Sequence, residues 1–382
     1  MAFELTPEQR QIRKVAREFA EGEVAPVAAK HDETCEFPAA IVQKLGELGF
    51  MGVLVPPQYG GAGLDYVSYA LIVEELSRSD GSVGITMWAH NSLCANHINL
   101  FGTKAQKEKY LVPLARGEAI GAWGLTEPGS GSDAAGMKSA AVREGRQFVL
   151  NGTKAFITNG SVGRIAVVMA ITEPALGSKG ISAFILERGM PGFSPGQRYR
   201  KLGLHASDTS ELVFDGVRVP EENLLGELHM GFVNSLQVLE GGRIAMAAMA
   251  VGLAQGALDA TVAYMKQRTA FGKTLAEFNG LQGMVAEMAT EIEAARLLTL
   301  RAAYLKDQGK PARQAASMAK VFASEVGMRA ATRAVQLHGG AGYVTEFPVE
   351  RIFRDVKLCE IGEGTSEVQR IVIARELLGF RA

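Results

Sequence analysis

Segments of different periodicity follow one another along the chain, and their order excludes most architectures before any motif is considered. Up to about Arg116 apolar residues recur at helical spacing. From about Gly121 to Gly226 the chain breaks into short β-branched runs, and from about Gly231 helical spacing returns in long Ala-, Leu- and Met-rich stretches. A nicotinamide-binding sheet would alternate strand and helix throughout, whereas this chain segregates them. The expected fold is therefore α+β and mostly α. It comprises an N-terminal helical domain over 1–120, a central β-barrel-like domain over 121–230 and a C-terminal helix bundle over 231–382.

Local signals fill in this outline. Thr6 can cap a helix, Pro7 suits its first position and Gln9 can reach back to complete a capping box. Ile12, Val15, Ala16 and Phe19 then mark one helical face. Breaks at Gly46, Gly49 and Pro56 to Gly63 precede a further helix over Tyr66 to Arg78. In the middle region Phe148-Val149-Leu150 and Ala155 to Thr158 flank Asn151-Gly152, a strong hairpin-turn signal, and β-branched runs follow at 165–171, 181–186 and 211–219. The final helical region is interrupted near Gly272, Gly309-Lys310-Pro311 and His338 to Tyr343.

Composition narrows the function classes. Lys and Arg total 40 against 41 Asp and Glu, a formal net charge of -1. No long like-charge block is present to grip a phosphate backbone, so nucleic acid is not an expected partner. The start lacks the basic-then-apolar pattern of an export signal. The apolar runs 165–171 and 181–186 fall short of the roughly 20 residues a spanning helix needs, so no membrane insertion is expected. Cys35, Cys94 and Cys359 have no paired spacing, which suggests neither a disulfide framework nor a metal site. A soluble, cytoplasmic protein is the expectation.

Two segments can carry chemistry. Trp123-Gly-Leu-Thr-Glu-Pro-Gly-Ser-Gly-Ser-Asp133 joins an aromatic residue, hydroxyl side chains and approachable backbone N–H groups, which can cradle a planar ring and a phosphate or simply form a turn. Its Gly129, Gly131 and Ala134 match a lone G-x-G-x-x-A. However, Glu127-Pro128 stands where a strand should precede it, and no long helix follows, which excludes a dinucleotide fingerprint. The second segment places Glu363 between Gly362 and Gly364, ahead of Ser366-Glu-Val-Gln369, which reads as a capping box. A carboxylate on so permissive a loop is either a solvated loop residue or a base able to swing over a substrate.

In order, Trp123 to Asp133, Asn151-Gly-Thr-Lys-Ala-Phe-Ile-Thr-Asn-Gly160, Lys201 to Leu212, Arg268-Thr-Ala-Phe-Gly272, Gln336-Leu-His-Gly-Gly340 and Glu360 to Arg370 resemble the acyl-CoA dehydrogenase family across essentially the whole chain. The resemblance implies a C-terminal four-helix bundle and FAD as cofactor. It further implies α,β-dehydrogenation of a saturated acyl-CoA of short to medium chain to the trans-2-enoyl-CoA. Electrons would pass to an electron-transfer flavoprotein. By resemblance, Glu363 is the base, and Ser132, Glu240, Arg243 and Gly364 meet the substrate. Trp123, Leu125, Thr126, Ser132, Phe156, Ile157 and Thr158 line the FAD site with Thr365 and Glu367. Arg268, Phe271, Asn279, Gln336, Leu337, Gly339 and Gly340 reach an FAD held by a neighbouring subunit of a homo-oligomer, a tetramer. Asn279 stands where the family usually carries Gln, a shorter amide with less reach. Some relatives carry their base immediately before an arginine of the third region, which here is Gly242 ahead of Arg243. Met249 and Cys359 are expected near the floor of the acyl pocket, and the Met87 to Leu93 segment resembles that of short-chain members. On the same fold, a flavin oxidase and a non-catalytic acyl-CoA binder stand as alternatives.

Overall fold

The computed structural model describes residues 4–380. Its N-terminal region holds α1 (Pro7–Phe19), α2 (Ala25–Thr34), α3 (Ala39–Glu47), α4 (Tyr66–Ser79), α5 (Gly81–Ala89), α6 (Asn96–Phe101), α7 (Lys104–Gln106) and α8 (Val112–Ala115). The start of α1 follows its local chemistry. Thr6 Oγ1 accepts from the Gln9 N–H at 3.1 Å while Gln9 Oε1 accepts from the Thr6 N–H at 3.0 Å, closing the expected capping box. Helix α1 lies against α4, whose Val67 to Ser77 are all buried. Arg13 and Arg17 of α1 meet the buried Glu75 of α4 at 2.6 and 2.7 Å. Glu74, beside it, pairs with Arg296 at 2.9 Å. Buried carboxylates persist only when paired in this way.

The central sheet runs in the order β6-β7-β3-β2-β4-β5-β8, with β1 parallel to β4. The strands are β1 (Gly121–Gly124), β2 (Ala140–Glu144), β3 (Gln147–Thr158), β4 (Ile165–Ile171), β5 (Ile181–Glu187), β6 (Phe193–Arg198), β7 (Thr209–Pro220) and β8 (Leu224–Leu225). The runs read from sequence at 165–171, 181–186 and 211–219 are β4, β5 and β7. The Asn151-Gly152 hairpin is not formed. The turn joining β2 to β3 lies at Gly145, and β3 continues through Asn151-Gly152 with a register shift against β7. Tertiary contacts use the dipeptide as a bulge instead. Asn151 Oδ1 accepts from the Gly216 N–H at 2.8 Å, and Gly152, at φ +142, leaves space that a Cβ would fill 2.3 Å from Ser139 Oγ. One face of the sheet joins the helices in the main core. The other closes over a separate core that includes Phe148, Leu150, Phe184 and Phe214.

The chain then returns to helices α9 (Gly231–Gln267), α10 (Asn279–Asp307) and α11 (Arg313–His338), followed by α12 (Pro348–Val356), α13 (Leu358–Ile361) and α14 (Ser366–Leu378). Helix α9 is the axis, packing on α4, α10, α11 and α12. It approaches α4 closely at Gly252, where a Cβ would lie 2.2 Å from the Glu74 carbonyl. By length and composition α9 could cross a membrane, which the strand-length runs had not suggested, but 83% of its most apolar window is buried inside the protein. The helix–sheet–helix order is thus the one the sequence implied. It brings α5, the ends of β1 and β3, α9 and the loop before α14 to one place.

Candidate active site

A cavity of about 770 Å³ opens where these elements meet. One wall is the segment after β1, from Trp123 and Leu125 through Thr126 to Ser132, and another is the end of β3 at Phe156, Ile157 and Thr158. Helix α5 contributes Ile85 and Trp88, α9 contributes Met246, and the loop Gly362 to Thr365 completes the enclosure.

The segment after β1 is held by a buried ion pair that sequence reading did not find. Glu127 accepts from the Lys138 and Ser139 N–H groups at 2.6 and 2.9 Å and from Lys154 Nζ at 2.8 Å. Lys154 also donates to the Leu125 carbonyl at 3.2 Å. Burial pulls the Lys154 pKa down to about 8, opposed by Glu127. Burial resists ionisation of Glu127 in turn, but Lys154 and the backbone donors hold its carboxyl below the usual range. Trp123 is fixed separately, its Nε1 donating to His97 Nδ1 at 3.0 Å. Burial keeps that imidazole neutral, its pKa pushed down to about 3.

At the mouth, Phe156 is 63% exposed and stacks on Tyr199 with ring centroids 4.7 Å apart. Its backbone is left-handed, φ +58, a conformation that a bulky residue holds only when its surroundings enforce it.

Glu363 has the same unusual backbone, φ +58. As a residue it is half-buried, yet its Oε2 is sealed from solvent and accepts no hydrogen bond among the described residues. Burial raises the carboxyl pKa to about 7, partly offset by the charges of Arg243 and Lys320. Arg243 is itself 5% exposed, and its Nε and Nη1 have no hydrogen-bond partner among the described residues. Gly242 makes room for this arrangement, since a Cβ there would lie 2.1 Å from Glu363 Oε2. The alternative base position and Glu363 therefore compete for one space. The expected capping box at Ser366 is not formed. Thr365 is the N-cap of α14, accepting from the Val368 N–H at 3.3 Å. The Gln369 amide turns instead to the carbonyls of Glu363 and Gly364, at 2.9 and 3.0 Å.

Of the residues singled out in the sequence, Trp123, Leu125, Thr126, Ser132, Phe156, Ile157, Thr158, Glu363, Gly364 and Thr365 come together around this cavity. Arg243 is buried near Glu363 but outside the cavity wall, and Glu240 turns to Lys306 Nζ at 3.5 Å. Met249 and Cys359 are buried behind the wall, not in it, and Met249 Sδ accepts from Trp88 Nε1 at 3.3 Å. A second depression of about 460 Å³ gathers Arg268, Gln336, Leu337, Gly339 and Gly340. Phe271 is 97% exposed, Asn279 opens α10 exposed to solvent, and Glu367 is exposed in the first turn of α14; these line neither space. Lys154, Tyr199, Lys320 and Gln369 were missed. Within the Asn151 to Gly160 motif, Lys154 carried the only available signal, a lysine inside an otherwise strand-like run.

Comparison with known proteins agrees with the resemblance read from the motifs. Family models described as the N-terminal, middle and C-terminal domains of acyl-CoA dehydrogenase match residues 6–118, 122–217 and 229–378. The chain is 51% identical to the short-chain specific acyl-CoA dehydrogenase of Clostridium acetobutylicum, covering 99% of this chain and 100% of the relative. The fold superposes on butyryl-CoA dehydrogenase from Megasphaera elsdenii with a TM-score of 0.97 at 46% identity, over 99% of this chain and 100% of the other. A chain solved in work on the electron transferring flavoprotein of Acidaminococcus fermentans gives 0.98 at 50% identity, over 99% and 100%.

The close approach at Gly242 makes a prediction that concerns geometry alone. Gly242→Ala should keep or raise the melting temperature, because the helix interior gains up to about 1 kcal/mol in propensity and the obstructing carboxyl ends a flexible side chain. A fall of more than about 4 °C, on the order of 1 kcal/mol or more for a unit of 150–250 residues, would show that Glu363 cannot yield.

Proposed function

Because the chain belongs to the acyl-CoA dehydrogenase family, FAD-dependent oxidoreductases acting on a CH–CH bond, we propose that Glu363 takes the α-proton of an acyl thioester bound in the cavity. The observation that carries this reading is the sealed, unpaired Oε2 on the cavity loop with its pKa raised to about 7, the range in which a carboxylate is an effective general base. FAD, when bound, supplies the acceptor for the β-hydride. Trp123, Thr126, Phe156 and Thr158 would flank its ring, and a mostly apolar wall of this kind keeps water from the reacting carbons.

The Glu363 N–H has no acceptor among the described residues, which leaves it free to donate to the thioester oxygen and stabilise the charge that develops there. The buried Arg243 lies close enough to favour the ionised carboxylate and so opposes the rise that burial causes.

Arg268 and the Gln336 segment form a depression of their own, which fits contact with the cofactor of a second copy in a homotetramer. A guanidinium and approachable glycine backbone suit a diphosphate. Electrons would leave to an electron-transfer flavoprotein. The substrate would be a short to medium acyl chain; the bulky Trp88, which lines the cavity and is braced by Met249, would shorten the space for the tail.

The test of the base is Glu363→Gln, nearly isosteric with the wild type. FAD binding should persist while substrate-dependent flavin reduction falls at least about a hundredfold, the lower range of general-base contributions. Reduction at the wild-type rate would remove Glu363 from the reaction. For chain length, kcat/KM measured from butyryl- to palmitoyl-CoA should peak at the short end. Each methylene that fits adds about 0.8 kcal/mol, and each that does not meets strain of about 1–3 kcal/mol. A maximum at palmitoyl-CoA would refute the short-chain assignment and leave the base untouched.

A further inference from the structure

Lys320 of α11 is wholly buried and forms no ion pair among the described residues. Its Nζ donates one hydrogen bond, to the Gly364 carbonyl at 2.6 Å. An ammonium group buried without a carboxylate partner is expensive, and burial pulls its pKa down to about 8. Packing alone would be served as well by a neutral side chain of similar volume, so the position of the charge requires another explanation.

That explanation lies in what the hydrogen bond holds. Gln369 Nε2 donates to the same Gly364 carbonyl and to the preceding Glu363 carbonyl. Successive carbonyls of the loop are thus gripped from α11 and α14. The described peptides are all trans, so the N–H groups of Gly364 and Thr365 point away from the gripped carbonyls. The left-handed backbone of Glu363 is thereby prevented from relaxing to a commoner conformation.

Resting on the reading of Glu363 as the base, we propose that Lys320 is a positioning residue for the reaction: it locks the Glu363–Gly364–Thr365 backbone against α11 and sets a positive charge behind the carboxyl. The charged and titratable groups around it are few. Arg243 of α9 and Lys320 both favour ionised Glu363, and Tyr69 of α4 also feels the carboxylate but is kept neutral by burial. From α13, Cys359 and Glu360 face Lys320, and Arg243 opposes its charge. Burial pushes the Cys359 thiol up to about 12, so it too is neutral. Removing the Lys320 charge leaves Arg243 as the cation acting on Glu363. The carboxyl must then stay protonated to higher pH.

The experiment compares FAD-loaded wild type, Lys320→Gln and Lys320→Met in anaerobic stopped-flow reduction by butyryl-CoA across pH, with KM and melting temperature measured alongside. Lys320→Gln retains a neutral donor. Its rate should approach the wild-type plateau at high pH, with the rising limb moved upward by about one pH unit, as expected for loss of a nearby opposite charge. Lys320→Met loses the donor as well and should be slower at every pH, by about ten- to a hundredfold, the cost of a base misplaced by about an ångström. Below the shifted limb for Lys320→Gln, and at every pH for Lys320→Met, kcat should fall with KM little changed. If Lys320→Met fails to fold, the limb of Lys320→Gln decides. Wild-type rate and pH dependence in a folded variant, with at most a lowered melting temperature, would overturn the proposal. Glu363→Gln run in parallel separates the two readings. If it is inactive while the Lys320 variants behave as wild type, only the proposal fails; if it is fully active, the base assignment fails first.

Discussion

A carboxyl group sealed from water beside an unpaired guanidinium is the constraint on which the site depends. The loss of hydration at Glu363 raises its proton affinity, while Arg243 and Lys320 oppose that rise. The balance leaves the group near neutrality in its titration, where taking and holding a proton are both accessible. Without the burial it would be an ordinary, weakly basic carboxylate. Without the cations its proton affinity would be higher still.

Much of the surrounding structure serves that balance. Helix α9 contributes Gly242, whose missing side chain is the space the carboxyl occupies, and Arg243, which faces it electrostatically. Helices α11 and α14 grip the loop carbonyls, and the opposite wall is set by the sheet through the buried Glu127–Lys154 pair. That pair joins the segment after β1 to the middle of β3, so the residues reaching the cavity from each keep a fixed separation. Breaking such a pair by removing one partner typically costs 3–5 kcal/mol, which suits a scaffold that must not drift.

What could be read from the sequence depended on how local its cause was. The α1 capping box, the β-branched runs that became β4, β5 and β7, and the helix–sheet–helix order are fixed by neighbours in the chain. The motif residues that converge on the cavity were legible through their joint resemblance to one family. Asn151-Gly152 was misread because Gly216 and Ser139, distant in sequence, turn the dipeptide into a bulge. The capping box read at Ser366 is not formed: Thr365 is the N-cap, and Gln369 is drawn into the Glu363 loop, out of reach of a reciprocal cap. Lys320 gave no signal, since a lysine within a helix ordinarily faces water. Met249, expected near the pocket floor, does not line the cavity itself but contacts the lining Trp88.

The account stands most directly on the protonation state of Glu363 in the FAD-loaded enzyme. Infrared difference spectra between wild type and Glu363→Gln, recorded across pH, isolate this carboxyl from the other acids with raised pKa, notably the buried Asp355 and the part-buried Asp307. A protonated carboxylic-acid band present below and lost through about pH 7, and missing from the variant, is the expected result. A Glu363 that remains ionised down to about pH 5, as an unperturbed glutamate would, would contradict it.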